Sequence, residues 1–186
     1  MSMDHEEENM KENYPRLMVS TRWEAEEWCH EYDSVLTLFT PASLCQFGHP
    51  DQTVIEFADR YHYEDGAPTM EQFTEIVGWA MKRREASSLL VHCKAGQSRS
   101  TAAAISMFVA WGMDHEEAVS HVYSNCRPPE KVGERPFIPN VRILEHLDDS
   151  FGTDLADKNI LMDAPLVPEW MFGPEEEWER RPMETL

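Results

Sequence analysis

A fifteen-residue stretch, residues 87–101, constrains the fold more than any other part of this sequence. Residues 88–91 carry no charge, which is typical of a strand buried inside a parallel sheet. Cys93 stands where that strand is predicted to end, and five residues separate it from Arg99, which opens an alanine-rich helical segment. The stretch therefore predicts a strand, a tight loop and a helix in direct succession.

The predicted loop has the features of an anion-binding site. If it curls round, its N–H groups and those of the first helical turn converge on one centre, where the helix dipole adds positive potential. The planar guanidinium of Arg99 can donate to two oxygens of a phosphate. The same positive field favours the thiolate of Cys93, which is the nucleophilic form of cysteine. The predicted phosphate-binding residues are Lys94, Ala95, Gly96, Gln97, Ser98 and Arg99.

A cysteine six positions before an arginine is a weak signal when it stands alone, because a buried structural cysteine and a surface arginine produce it by chance. Here the match is longer. Residues 92–100, His-Cys-Lys-Ala-Gly-Gln-Ser-Arg-Ser, resemble the signature loop of the cysteine-dependent protein phosphatases. The dual-specificity branch, with its compact bacterial and phage-type tyrosine phosphatases, is most similar, and the resemblance extends over roughly residues 16–151.

The resemblance implies an enzyme that removes phosphate from phosphotyrosine, and through a shallow pocket also from phosphoserine and phosphothreonine. It implies a cysteinyl-phosphate intermediate on Cys93 and no metal or other cofactor. Ser100 is implied to hydrogen-bond the Cys93 sulfur and to ease its departure. His92 is expected to orient the loop rather than to transfer a proton, and Gly96 to adopt a backbone conformation that other residues resist. Asn140, in Ile-Pro-Asn, resembles the asparagine that braces this loop in dual-specificity phosphatases; the alternative is a plain helix N-cap.

An acid is needed to protonate the leaving oxygen, a step that a positioned side chain accelerates by roughly 10²–10⁴-fold. We predict that Asp59 is this acid. It follows the third predicted strand, on the sheet edge of Cys93 and 34 residues before it, which is about the separation that the resemblance implies. Asp65, 28 residues before the cysteine, is an alternative. Asp51 follows His-Pro, similar to the Trp-Pro-Asp loop of larger tyrosine-specific phosphatases, but it precedes the strand and is expected at the opposite edge.

Strand and helix signals alternate along the chain. Two capping boxes, Thr21 with Glu24 and Thr69 with Gln72, predict helix starts. Strands are predicted at 17–19, 34–39, 53–57 and 88–92, and helices from 21, at 69–84 and 99–112, from 114, and from 140 to about 152. This order predicts an α/β fold like that of protein tyrosine phosphatases, with a mainly parallel central sheet of about four to five strands flanked by helices.

The 186 residues are expected to form one phosphatase domain at 14–152, with an acidic disordered N-terminus at 1–13 and an acidic tail with proline and tryptophan at 153–186. The net charge of −19 argues against nucleic acid and anionic membranes as partners. No membrane-spanning run, secretion signal or zinc-type cysteine spacing is found. These features favour a cytoplasmic protein that acts on a phosphorylated protein and holds phosphate or another oxyanion in its loop.

Other functions stay open at this point. A phosphate-binding pseudoenzyme would have lost the cysteine, the arginine or the acid, and none is lost here. A rhodanese-like sulfur transferase also places a cysteine loop before a helix, but the hydroxyl after Arg99 favours a phosphatase. A non-protein substrate, such as an inositol phosphate or an RNA 5′-phosphate, is an alternative; Cys-Lys-Ala-Gly is similar to phosphoinositide phosphatases, although Gln97 stands where those usually have a second lysine. Cys45 or Cys126 could protect an oxidised Cys93 through a disulfide.

Overall fold

Four strands and five α-helices make up the part of the chain that the structure, a computed structural model, describes: residues 14–60, 65–128 and 137–156. In chain order they are β1 (Arg16–Ser20), α1 (Arg22–Trp28), β2 (Ser34–Leu38), β3 (Gln52–Ile55), α2 (Met70–Met81), β4 (Ser88–His92), α3 (Arg99–Ala110), α4 (His115–Asn125) and α5 (Val141–Phe151). The predicted N-terminal segment and all but residues 153–156 of the predicted tail lie outside the described residues.

The strands form one parallel sheet in the order β1-β4-β2-β3. β4 lies between β1 and β2, and its residues Leu89, Leu90 and Val91 are fully buried. A strand covered on both faces must be apolar throughout, which is why this segment carries no charge. The predicted α/β fold with a parallel sheet of four to five strands is confirmed, with four strands.

Helices cover both faces of the sheet, as predicted. Leu90 points to one face, where it packs with Ala25 of α1 and with Val35. Leu89 and Val91 point to the other face, into the larger core that the remaining helices build. α3 packs directly on β1 and β4, and α2, α4 and α5 pack on α3. Three successive buried alanines, Ala102, Ala103 and Ala104, bring the α3 backbone close to its neighbours.

The helix starts follow from local capping, as the sequence predicts. Thr21 and Thr69 each accept a hydrogen bond from the third helical N–H, while Glu24 and Gln72 reach back to the cap. α5 ends at Gly152, whose φ of 70° is a left-handed conformation that glycine adopts readily. Among the described residues, no helix combines the length and the apolar composition needed to cross a bilayer.

The third strand differs from its prediction, because β3 ends at Ile55 rather than at residue 57. β3 pairs only with β2, and the last residue of β2, Leu38, is the partner of Ile55. The described residues provide no strand for β3 to pair with beyond that point, and the chain leaves the sheet. The carbonyl of Phe57 accepts instead from Arg99 Nη1 at 2.9 Å. The end of β3 therefore delivers the following residues to the loop after β4.

Candidate active site

The loop after β4 is shaped by a close approach of two backbones. Gly96 has a φ of 66°, and a Cβ added to it would lie 2.8 Å from the carbonyl carbon of Ser20 and 2.9 Å from its oxygen. Arg22 N–H donates to the Lys94 carbonyl at 3.2 Å, which fixes the loop to the start of α1. Only glycine fits position 96 without strain, as the sequence analysis expects.

Cys93 lies at the carboxyl end of β4, where it is 1% exposed. Its Sγ is 3.1 Å from Ser100 Oγ, which lies in the first turn of α3. The sulfur therefore faces the N-terminus of a twelve-residue helix and contacts a hydroxyl that can donate to it. The N-cap residue, Ser98, makes no side-chain cap, so its hydroxyl does not compete for the first N–H groups of α3.

Arg99 connects this loop to the segment after β3. The side chain is 1% exposed and donates to the carbonyl of Phe57. Its Nε lies 3.7 Å from Asp59 Oδ2, and its guanidinium lies 5.6 Å from the ring centroid of Phe39. A buried guanidinium is well placed to hold an anion, because burial strengthens its electrostatic attraction.

Asp59, the predicted acid, lies against the loop. Its Oδ1 accepts from Ser98 Oγ at 2.7 Å and from Asn140 Nδ2 at 2.8 Å. These two donors fix Oδ1, while Oδ2 faces Arg99. The carboxylate is 28% exposed, so water and a substrate can reach it.

Asn140 makes both of the contacts that the sequence leaves as alternatives. Its Oδ1 accepts from Ile143 N at 3.2 Å and caps α5, while its Nδ2 donates to Asp59 and to the Arg60 carbonyl. Its own N–H donates to the carbonyl of Ser98 at 3.1 Å. The buried Asn140 therefore joins α5 to Asp59 through its side chain and contacts the loop through its main-chain N–H.

The two alternative acids lie elsewhere. Asp51 precedes β3 and accepts hydrogen bonds from Ser34 and from Arg83, whose guanidinium lowers the pKa of that carboxyl. This is the amino edge of the sheet, opposite Cys93, as the sequence analysis expects. Asp65 is exposed in the turn that contains Gly66. No hydrogen bond or ion pair within the described residues links Asp65 to the loop.

A buried polar chain behind Cys93 was not predicted from the sequence. Gln52 Nε2 donates to Thr37 Oγ1 at 2.8 Å, and the Thr37 hydroxyl shares a hydrogen bond with His92 Nε2, also at 2.8 Å. Burial, aided by the charges of Arg99 and Arg22, lowers the pKa of His92 to about 4. His92 is therefore neutral at physiological pH, which suits a positioning role. Thr37, a polar residue inside the otherwise apolar run 35–39, was the signal that could have revealed it.

The remaining loop residues and cysteines complete the site. Lys94 and Gln97 are half-buried, whereas Ala95 is exposed.

Burial raises the pKa of Cys45 to about 11 and that of Cys126 to about 12, so both are thiols at neutral pH. All four cysteines are free, and the disulfide with Cys93 stays a prediction. Within residues 14–60, 65–128 and 137–156 no cluster of histidine, cysteine and carboxylate side chains has the geometry of a metal site.

Comparison with known proteins identifies the fold. The sequence matches no protein-family model and no curated protein. The structure matches the crystal structure of Tk-PTP in the active form with a TM-score of 0.51 and 23% identity, covering 72% of this chain and 89% of that one. It matches human DUSP28 with a TM-score of 0.54 and 18% identity, covering 77% and 96%. The chain therefore has the fold of tyrosine and dual-specificity phosphatases, which confirms the predicted resemblance at the level of the fold.

Proposed function

We propose that this protein is a phosphomonoester hydrolase that works through a cysteinyl-phosphate intermediate. The observation that carries the proposal is the convergence of four side chains on one loop. Cys93 and Ser100 are in contact at 3.1 Å, and Arg99 and Asp59 are 3.7 Å apart across the same loop. A nucleophile, a residue that stabilises its departure, an anion-binding cation and an acid are the groups that this chemistry needs.

In the first step the loop holds the phosphate of the substrate through the N–H groups of residues 94–99 and through Arg99. The Cys93 thiolate attacks phosphorus, an S–P bond forms, and the bond from phosphorus to the ester oxygen breaks. Asp59 gives the proton on its Oδ2 to that oxygen, so that the product leaves as a neutral alcohol or phenol. The electrostatic attraction of the loop holds the charge on the transferring group throughout.

In the second step water attacks the cysteinyl phosphate. Asp59, now ionised, takes a proton from the water as the O–P bond forms. The S–P bond breaks and its electron pair returns to sulfur, where the Ser100 hydroxyl donates to the thiolate. Inorganic phosphate leaves, and the thiolate of Cys93 and the proton on Asp59 are restored for the next cycle.

The proposed substrates are phosphotyrosine proteins, with phosphoserine and phosphothreonine proteins also accepted. No tyrosine-recognition motif precedes the acid loop, which supports a shallow pocket rather than a deep one. The net charge of −19 disfavours inositol polyphosphates and RNA, and Gln97 stands where phosphoinositide phosphatases usually have lysine. The need for a reduced thiol supports a cytoplasmic setting.

Hydrolysis of 4-nitrophenyl phosphate by the purified protein in the presence of EDTA tests the proposal. We expect turnover by the wild-type protein and none by Cys93→Ser, which should still bind phosphate. A phosphorylated intermediate that is trapped by acid quenching and lost in Cys93→Ser would identify the nucleophile. Equal turnover by both proteins would exclude Cys93, and phosphate binding without turnover by the wild-type protein would indicate a binding module instead. Capture of phosphoproteins by Cys93→Ser would then identify the substrates.

A further inference from the structure

Arg22, the first residue of α1, lies beside the phosphate-binding loop and has no part in the reaction proposed above. Its N–H donates to the carbonyl of Lys94 at 3.2 Å. The residue two positions before it, Ser20, is the one that contacts the Gly96 backbone. The main chain of Arg22 is thus held against the loop at two neighbouring points.

The Arg22 side chain is held in place but not neutralised. Its Cζ lies 4.6 Å from the ring centroid of Trp23, a cation–π contact that orients the guanidinium. Its Nε is buried and has no hydrogen-bond partner. None of the ion pairs among the described residues includes Arg22. In a chain with 35 acidic and 16 basic residues, a guanidinium that has found no carboxylate is available for an anion from outside.

The charge of Arg22 acts on the same residues as that of Arg99. Both guanidinium groups lower the pKa of Cys45, although its burial raises that pKa more strongly. Both also lower the pKa of His92, in the same direction as its burial. His92 directly precedes Cys93, and Cys93 also interacts electrostatically with Cys45. Arg22 therefore contributes positive potential to the surroundings of the nucleophile from the side of α1.

We propose that Arg22, oriented by Trp23, binds a second anionic group of the substrate, a carboxylate or a phosphate on a residue next to the phosphorylated side chain. This inference rests on the proposed function and specifies its substrate class as acidic phosphopeptides. One additional arginine can attract one additional negative charge, whereas the net charge of −19 would repel a substrate with many negative charges. Trp23 is 58% exposed, so a peptide lying across the loop can reach the stacked pair.

Binding of matched peptides to the full chain tests this subsite. The peptides contain one phosphotyrosine and differ only in its two neighbours, which are glutamine, glutamate or phosphoserine. The proteins are Cys93→Ser, Cys93→Ser with Arg22→Gln, and Cys93→Ser with Arg84→Gln. Arg84 lies between α2 and β4, at the opposite edge of the sheet, and its replacement removes the same charge. Calorimetry at low ionic strength measures each Kd.

We expect Cys93→Ser to bind the glutamate and phosphoserine peptides about five- to tenfold more tightly than the glutamine peptide, which is the size of one partly exposed charge-assisted hydrogen bond. The ratio should fall to about one with Arg22→Gln and stay unchanged with Arg84→Gln. If only the phosphoserine peptide binds more tightly than the glutamine peptide, the anion that Arg22 binds is phosphate rather than carboxylate.

An equal affinity of Cys93→Ser for all three peptides would overturn the proposal, and so would a preference that survives Arg22→Gln or that Arg84→Gln removes equally. Turnover of 4-nitrophenyl phosphate by the wild-type protein is measured separately. A preference that depends on Arg22 in a protein without turnover would contradict the proposed function and leave the subsite intact.

Discussion

Ser98 Oγ donates a 2.7 Å hydrogen bond to Asp59 Oδ1, which joins the last residue of the loop after β4 to the proposed acid that follows β3. The two residues are 39 positions apart in the sequence. The bond holds the carboxylate over the loop before any substrate arrives. Because general acid catalysis depends on geometry, a pre-positioned acid reduces the reorganisation needed during the reaction.

Ser98→Ala should therefore weaken acid catalysis without removing the acid. We expect kcat for phenyl phosphate, whose leaving group needs a proton, to fall about fivefold to tenfold, while kcat for 4-nitrophenyl phosphate changes much less. Ser106→Ala is the matched control, because Ser106 Oγ donates only to the Ala102 carbonyl within α3. An equal loss on both substrates would place Ser98 in phosphate binding alone.

Asp59→Asn should show the same dependence on the leaving group as Ser98→Ala, but with a larger loss of kcat. Asparagine retains a carbonyl oxygen for Ser98 and Asn140 but has no proton to give. We expect kcat for phenyl phosphate to fall about 10²-fold or more, with a far smaller fall for 4-nitrophenyl phosphate. Asp65→Asn removes an exposed carboxylate of the same kind and should change neither. The reverse pattern would make Asp65 the acid.

The two contacts of Asn140 can be separated by Asn140→Ser. Serine caps helices about as well as asparagine, so the cap is kept and the free energy of unfolding should fall only through the loss of the two hydrogen bonds from Nδ2, by about 1–3 kcal/mol. The shorter side chain does not reach Asp59, so the acid loses one of its two donors. We expect kcat for phenyl phosphate to fall severalfold in Asn140→Ser. Asn140→Ala removes the helix cap as well, so we expect it to lose more stability in addition to activity. Initial rates measure the activity, and urea unfolding measures the stability. Full activity in Asn140→Ser would mean that Asn140 acts only as a helix cap.

These contacts show which parts of the site a single sequence can predict. The loop from Cys93 to Ser100 was predictable because the strand, the turn and the helix that form it are adjacent in the chain. Asn140 and Asp59 are 81 positions apart, and Thr37 and His92 are 55 apart. Such pairs depend on strand order and on the crossing of loops, which residue patterns do not encode. The sequence therefore pointed to Asp59, Asn140 and His92, but it revealed neither Thr37 nor which atoms of these groups meet.

Gly96→Ala should damage the loop through steric contact. The new Cβ would lie 2.8 Å from the Ser20 carbonyl carbon, which is backbone and has little freedom to move. The φ of 66° adds about 1 kcal/mol of strain for any other residue. We expect a loss of at least about 2 kcal/mol in urea unfolding together with a large loss of activity. Gly112→Ala is the control: its φ is 103°, but no atom lies within 4 Å of the added Cβ, so activity should stay.

The buried His92 should make the stability of the protein depend on pH. Its pKa is about 4 in the native state because of burial, against 6.5 for an exposed histidine. Between these two values the unfolded chain binds a proton that the native state does not. Stability is therefore lost as the pH falls from about 6.5 towards 4, by up to about 3 kcal/mol, and this contribution is constant above pH 7.

His92→Gln removes this titration, while glutamine can still accept from Thr37. Urea unfolding of both proteins at pH 7 and at pH 4.5 measures the effect, and we expect the wild-type protein to lose more stability between the two values than the variant does. Acidic groups that titrate in this range, such as Asp51, contribute to both proteins and cancel in the comparison. His121, whose pKa burial also lowers, is the control site because its ring is only partly buried, so His121→Gln should change the pH dependence less. An identical loss in wild type and His92→Gln would mean that burial does not lower the pKa of His92 in the native state.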